Sequence, residues 1–295
     1  MKQYLLGFTL LFALIACAQK GANPEQKGGD ADVLNTSKTE KYLNKNLPSE
    51  AEDLVSLFND SEIFVSKEKN KDGKYVLRAI VDTVELKGVA DKNDGSEGKL
   101  EGLKPDNSKV TMSISKDQNT ITIETRDSSN TKVASKVFKK DGSLTEESYK
   151  AGQLDSKKLT RSNKTTLEYS DMTNAENATT AIETLKNGIE FKGSLVGGKA
   201  TLQIVESTVT LTREIDKDGK LKIYLKDTAS SSKKTASWND TDTLTISAEG
   251  KKTKDLVFLT DGTITVQNYD SASGTTLEGT ATEIKNLEAL KTALK

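Results

Sequence analysis

Along most of the chain, apolar residues recur at every second position for a few residues and then give way to a turn signal. Thr120-Ile121-Thr122-Ile123 shows the two-residue period of a half-buried strand. Similar runs predict strands over 75–86, 110–115, 120–125 and 132–138. Lys71-Asp72-Gly73-Lys74, Asn93-Asp94-Gly95, Pro105-Asp106-Asn107, Gln118-Asn119, Ser129-Asn130, Asp141-Gly142, Ala151-Gly152 and Asn163-Lys164 punctuate them, mostly 10 to 13 residues apart. That is the rhythm of an up-and-down antiparallel meander.

One stretch departs from this pattern. GSLTEESYKAGQLDSKKLTRSN, residues 142–163, is punctuated like hairpins yet polar on both alternating sets of positions. Within 139–166 only Leu144, Tyr149, Ala151, Leu154 and Leu159 are hydrophobic, five of 28 residues, whereas eleven are charged. Neither face is expected to join a core. Ordering a backbone costs about 1–2 kcal/mol per residue, against roughly 0.5–1.5 for a ladder hydrogen bond and 0.2–1 for a cross-strand pair. The segment should therefore not fold alone. Its regular turns favour sheet over linker, so we expect a single layer clamped at both ends by strands that do have cores, with lysine stems covering its backbone.

The second half supplies the other core. Residues 174–188 begin with Asn174, end with Gly188 and space Ala178, Ile182 and Leu185 along one helical face; we read them as a short helix opening a C-terminal unit. Strand patterns follow over 189–195, 200–205, 208–215, 221–225, 243–247, 256–259 and 263–269. Thr280-Ala281-Thr282-Glu283 fits a capping box for a terminal helix with Ile284, Leu287, Leu290 and Leu294 on one face.

The amino end is different. Lys2 precedes an apolar run from Tyr4 to Ala16, too short to span a membrane and right for an export signal. Its end, Leu14-Ile15-Ala16-Cys17, resembles a bacterial lipobox and points to Cys17, the single cysteine, as the lipidated first residue of the mature chain. Acyl chains there would hold the protein to a membrane at about 0.8 kcal/mol per buried methylene. Residues 18–60, rich in Lys, Gly, Asn, Glu and Ser, read as a tether reaching roughly 35 Å as a coil. Leu54-Val55-Ser56-Leu57-Phe58 marks a soft boundary at its end.

Composition narrows function. In 295 residues, 34% hydrophobic and 5% aromatic is a thin supply, so the core must be small or divided. Lys+Arg 43 against Asp+Glu 44 leaves no global field for nucleic acid. Only Arg78, Arg126, Arg161 and Arg213 are arginines, which favours a hydrated lysine surface. The absence of His removes the usual neutral-pH proton shuttle and the commonest metal ligand.

Local chemistry reads as bland. Asp91-Lys92-Asn93-Asp94-Gly95-Ser96-Glu97 lacks the spacing of a calcium loop. Adjacent Glu146 and Glu147 fall on opposite faces of a strand, so they cannot flank one bond. Ser194 lies outside a G-x-S-x-G motif and has no His to activate it. Trp238, the lone tryptophan, reads first as partly buried scaffold and second as a loop anchor for a partner. Lys295 carries an ammonium beside the terminal carboxylate, the dipolar pair that lysine-binding kringle domains accept.

The lipobox, Val65-Ser66-Lys67-Glu68-Lys69-Asn70-Lys71-Asp72-Gly73-Lys74-Tyr75, Leu154-Asp155-Ser156-Lys157-Lys158-Leu159-Thr160-Arg161-Ser162-Asn163, Lys251-Lys252-Thr253-Lys254-Asp255-Leu256-Val257-Phe258 and Leu287-Glu288-Ala289-Leu290-Lys291-Thr292-Ala293-Leu294-Lys295 carry a resemblance across nearly the whole chain. Together they resemble the outer surface lipoprotein A/B family of Lyme-disease spirochaetes. The resemblance implies a mainly β fold: an extended antiparallel meander whose single-layer centre joins two globular ends, with a C-terminal helix. It also implies outer-membrane display, colonisation of the tick gut through vector gut proteins, and host antibodies as partners. Lys164 departs from the Gly expected after Asn163, which puts a type I′ turn there in doubt.

The expected organisation is a signal at 1–16, a lipidated tether at 17–60, an N-terminal β domain at 61–138, the single layer at 139–170 and a C-terminal domain at 171–295. The leading reading is a non-enzymatic, monomeric adhesin without cofactor, metal or nucleic acid, anchored by its lipid. A protective coat protein without a receptor site is the rival, and plasminogen capture through Lys295 a third.

Overall fold

The computed structural model describes residues 52–57 and 61–295. Cys17, the export signal and most of the range read as tether lie outside them. Sixteen strands form one antiparallel sheet in strict chain order, and five more form a second sheet.

The N-terminal part comprises β1 (Glu52–Leu57), β2 (Ser61–Lys69), β3 (Tyr75–Val81), β4 (Val84–Ala90), β5 (Lys99–Leu103), β6 (Lys109–Ile114) and β7 (Thr120–Arg126). The centre is β8 (Lys132–Lys139), β9 (Leu144–Lys150) and β10 (Gln153–Thr160). The sheet continues through β11 (Thr166–Asn174), β12 (Asn177–Thr184), β13 (Glu190–Val196), β14 (Lys199–Glu206), β15 (Val209–Ile215) and β16 (Leu221–Asp227). The second sheet is β17 (Lys234–Trp238), β18 (Thr243–Ala248), β19 (Lys251–Phe258), β20 (Ile264–Tyr269) and β21 (Leu277–Glu283), followed by helix α1 (Leu287–Leu294). The sheet reaches into the range read as tether, since β1 pairs with β2 from Glu52↔Ser66 to Leu57↔Ser61.

Two separate cores result. Ile63, Leu77, Leu86, Leu100, Met112, Ile121 and Phe138 pack one. The other joins Phe191, Leu202, Leu211 and Ile223 to Leu244 and Leu256 of the second sheet and to Leu290 and Leu294 of α1. In each lobe one strand passes its neighbour so closely that only glycine fits: a Cβ on Gly88 would stand 1.8 Å from the Lys99 carbonyl oxygen, and one on Gly193 1.8 Å from that of Thr201.

Between the cores, β9 and β10 contain no buried residue. Cross-strand charge replaces packing there. Lys136 lies opposite Glu146, Glu146 opposite Lys158, and Lys158 opposite Glu168, so four adjacent strands carry alternating signs along one row. Lys136–Glu146 and Lys158–Glu168 close to 3.3 and 3.5 Å. On the opposite face Glu147 meets Lys157 at 3.4 Å and accepts from the Tyr149 hydroxyl at 2.6 Å, while Lys132 lies 4.5 Å above the Tyr149 ring. The long side chains also shield the ladder from water.

Several expectations need correction. The stretch is not wholly excluded from the cores: Leu144 packs on the N-terminal one, Leu154 and Leu159 on the C-terminal one. Residues 174–188 are not a helix but strand β12 between two turns. Thr179, Thr180, Ile182 and Thr184 favour extended backbone, and the ladders to β11 and β13 use their amides. A bulge between Ala178 and Ala181 sets the buried face of β12 at Ala178, Ala181 and Glu183, leaving Ile182 of the expected helical stripe only half-buried. Thr280–Glu283 is the end of β21 rather than a capping box; Asn286 caps α1, its Oδ1 accepting from the Ala289 amide at 2.9 Å. The run 75–86 divides at Asp82-Thr83, where both residues have positive φ (48° and 69°) and turn the chain in two residues. Lys164 does adopt the left-handed region, at φ 69°, in a wider turn where the Arg161 carbonyl accepts from Lys164 and the Arg161 amide donates to Thr165, both at 2.9 Å. Asn163 sustains it by accepting from the Thr165 amide and hydroxyl and donating to the Thr260 carbonyl.

Candidate functional site

The densest polar arrangement lies where the single layer enters the C-terminal lobe. Glu183 stands on β12 between Leu167 and Phe191 and is fully buried. Arg213, from β15, donates Nε to Glu183 Oε2 at 2.7 Å and Nη2 to Oε1 at 3.3 Å. Arg161, just past β10, donates Nη1 to Glu183 Oε1 at 2.9 Å and to the Thr165 hydroxyl at 3.1 Å. Burial by itself raises the Glu183 pKa, but Arg213 and then Arg161 outweigh it and hold the carboxyl below its ordinary value. Burial also pushes the nearby Tyr169 hydroxyl up to about 12. An ionised, doubly bound carboxylate has no proton to exchange near neutral pH, so the arrangement orders the lobe and is no acid–base pair.

Aromatic rings enclose it. The Arg213 guanidinium sits 5.1 Å from the Phe191 ring centre and 5.2 Å from that of Phe258. Trp238 meets Phe258 edge-on, at 6.2 Å and 70°. Arg213 Nη1 and Trp238 Nε1 are buried without a hydrogen-bond partner among the described residues.

Trp238 is thus placed as the last residue of β17, partly buried against the C-terminal core. Lys295, directly after α1, donates Nζ to Glu206 at 2.9 Å, and that bond raises its pKa. A kringle would have to displace Glu206 before taking this ammonium. Trp238 and Lys295 belong to different parts of the lobe and form no joint site. Glu146 and Glu147 point to opposite faces, toward Lys136 and Lys157 respectively. Asp94 closes a polar turn by accepting from the Ser96 amide at 2.9 Å, and Ser194 lies opposite Thr201 in the β13–β14 ladder. No group of three or more acidic or thiol ligands converges among the described residues. Cys17 lies outside them.

Sequence reasoning missed Glu183, Arg161 and Arg213 as a unit. A signal existed: two of only four arginines in a lysine-rich chain serve one carboxylate, the task for which a planar multi-donor fork outperforms an ammonium.

Residues 35–295 match the model of the Borrelia lipoprotein family. Outer surface protein B of Borreliella burgdorferi is 99% identical over 295 residues, covering 100% of both chains. Outer surface protein B of Borreliella burgdorferi strain B31 is 63% identical over 295 residues, covering 99% of each. An alternating-charge single layer between two cores is the fold of a chain that belongs to the Borrelia lipoprotein family.

Proposed function

We propose that this outer surface lipoprotein is a non-enzymatic adhesin, held to the outer membrane by lipid on Cys17 and presenting its C-terminal lobe to proteins of the tick gut and to host antibodies. The supporting observation is the ladder itself. Ten strand steps separate β2 from β12, which at about 4.8 Å each sets the second lobe ~48 Å along the sheet from the first strands. A layer that encloses no core has one evident use, which is to project what lies beyond it. Plasminogen capture through Lys295 is the weaker reading because Glu206 already holds that ammonium.

Attachment to isolated gut epithelium separates adhesin from coat. A strain lacking the protein should regain attachment with the native chain and fail to regain it with one whose C-terminal surface is altered and whose fold is intact. Full attachment by the deletion strain, with raised sensitivity to serum or protease, would instead identify a coat.

A further inference from the structure

Positive charge collects at one end of the second sheet. The link 228–233, the turn at Glu249-Gly250 and the loop 270–276 lie together at the end opposite the β19–β20 turn, because adjacent strands are antiparallel. Around them stand Lys226, Lys233, Lys234, Lys251 and Lys252 against Asp227, Glu249 and Asp270, an excess of two positive charges in a chain whose net charge is −1, while a sixth lysine, Lys254, lies further along β19 beside Asp255 and in the row of Glu278. Lys234 lies opposite Ala248, which lies opposite Lys251, while Lys252 follows in the next row.

What sets the end apart is how its charges are used. None of the six lysines lies within ion-pair distance of a carboxylate among the described residues, whereas Lys132, Lys136, Lys157, Lys158, Lys291 and Lys295 all do. Their recorded contacts are neutral: Lys251 to the Ala272 carbonyl at 3.0 Å, Lys254 to that of Ala293 at 2.7 Å, and Lys252 over the Tyr269 ring at 5.4 Å. The three carboxylates are occupied otherwise. Asp227 accepts from the Ala229 and Lys234 amides at 2.9 Å each, Glu249 from the Ser232 hydroxyl at 2.8 Å, and Asp270 from the Ala272 and Ser273 amides at 2.9 Å each and from the Ser273 hydroxyl. Burial and then the Lys234 charge lower the Lys254 pKa, a further sign of uncompensated positive field.

We propose that this end binds a linear sulfated polysaccharide laid across the strand ends, with Lys234 and Lys251, which share a row, meeting successive sulfates and Lys226, Lys233 and Lys252 adding positive charge at its flanks. Ammonium groups act as hydrated point charges and suit scattered sulfates, whereas phosphate recognition in nucleic acids draws on arginine forks and stacked aromatic rings. Lys234 and Lys251, two strands apart, are separated by about 10 Å, so one extended chain engages several sites at once. The bacterium's own lipid is disfavoured by the span of the sheet. The inference rests on the adhesive reading for its biological setting, and supplies a receptor class for it.

The test uses the full mature chain in detergent, with immobilised heparin as the probe and dextran as the neutral control. Heparin binding should weaken linearly in log–log form with salt. Lys233→Gln/Lys234→Gln/Lys251→Gln/Lys252→Gln should lower affinity at least about tenfold, while the equally charged Lys99→Gln/Lys116→Gln/Lys217→Gln/Lys220→Gln retains it. Equal losses in both variants, or binding of native protein to dextran, would reduce the effect to net charge or matrix and overturn the site. Tighter binding to duplex DNA or to phosphatidylserine vesicles, lost in the first variant alone, would overturn the polysaccharide assignment. Unchanged melting of both variants guards against misfolding. Gut attachment by the first variant is scored separately: heparin binding with attachment intact would leave this site standing and remove it from adhesion.

Discussion

Arg213 donates two hydrogen bonds to Glu183 across a sheet in which β13 and β14 separate their strands. The contact exists only because the sheet curls over the C-terminal core. Removing one member of such a pair leaves the other charged and dry. Glu183→Ala should cost about 3–5 kcal/mol, read as a lowered denaturation midpoint of the C-terminal lobe. Replacing Glu183 and Arg213 together by Leu and Met should recover part of that loss, and an unchanged midpoint in the single variant would contradict the assignment.

The same carboxylate predicts an acid response. Its folded pKa lies below its ordinary value, so its contribution is complete above the unfolded pKa, near 4.3, and is lost as pH falls through the folded pKa. Unfolding free energy of the native protein should therefore drop more steeply below about pH 4.5 than that of Glu183→Gln. Denaturant titrations between pH 3 and 7 would show it, and parallel curves would exclude Glu183 as a source.

The charge row of the single layer makes a local prediction. Lys158→Glu would set three glutamates side by side with Glu146 and Glu168. Like charges directly opposite are unfavourable by roughly 1 kcal/mol for the pair of contacts. Amide exchange in β9 and β10 should accelerate while both cores stay protected, and added salt should shrink the difference. Fast exchange through the middle of the native protein would count against an ordered layer altogether.

Gly193 offers a steric test. Its missing side chain admits the Thr201 carbonyl, so Gly193→Ala should destabilise the C-terminal lobe by at least about 2 kcal/mol through forced backbone shifts. Gly142→Ala is the informative comparison. Nothing lies within 4 Å of a Cβ there, but φ is +84°, so its cost is that of backbone conformation alone.

Anchoring can be checked directly. Cys17→Ser should release full-length protein into detergent-free buffer, whereas the native chain should partition with membranes. Native material recovered without detergent would remove the lipid from the proposal.

Much of this protein was written in alternation and turn chemistry. Thr120 to Ile123, Asp141-Gly142 and Ala151-Gly152 announce strands and hairpins locally, and those elements formed. The polarity of 139–166 announced a layer without a core of its own, because five hydrophobes among eleven charges cannot build one, although Leu144, Leu154 and Leu159 pack on the flanking cores. Residues 174–188 misled because Ala178, Ile182 and Leu185 stand at helical spacing in the sequence, whereas the bulged strand β12 buries Ala178, Ala181 and Glu183 instead. Capping failed at Thr280 because β20 offered β21 a ladder, and Asn286 stood ready six residues later.

Sequence alone determined most of the strands and turns, the thin divided core and the polar centre, because each depends on residues within reach of one another along the chain, while β12 and the end of β21 needed their neighbouring strands to be told from helix. Tertiary structure decided that Glu183, Arg161 and Arg213 meet, that Trp238 is walled by Phe258, and that lysines without an ion pair among the described residues gather around one end of the second sheet. Those outcomes depend on how far the meander curls and how the second sheet closes over it, and curvature accumulates over many strands without leaving a local mark.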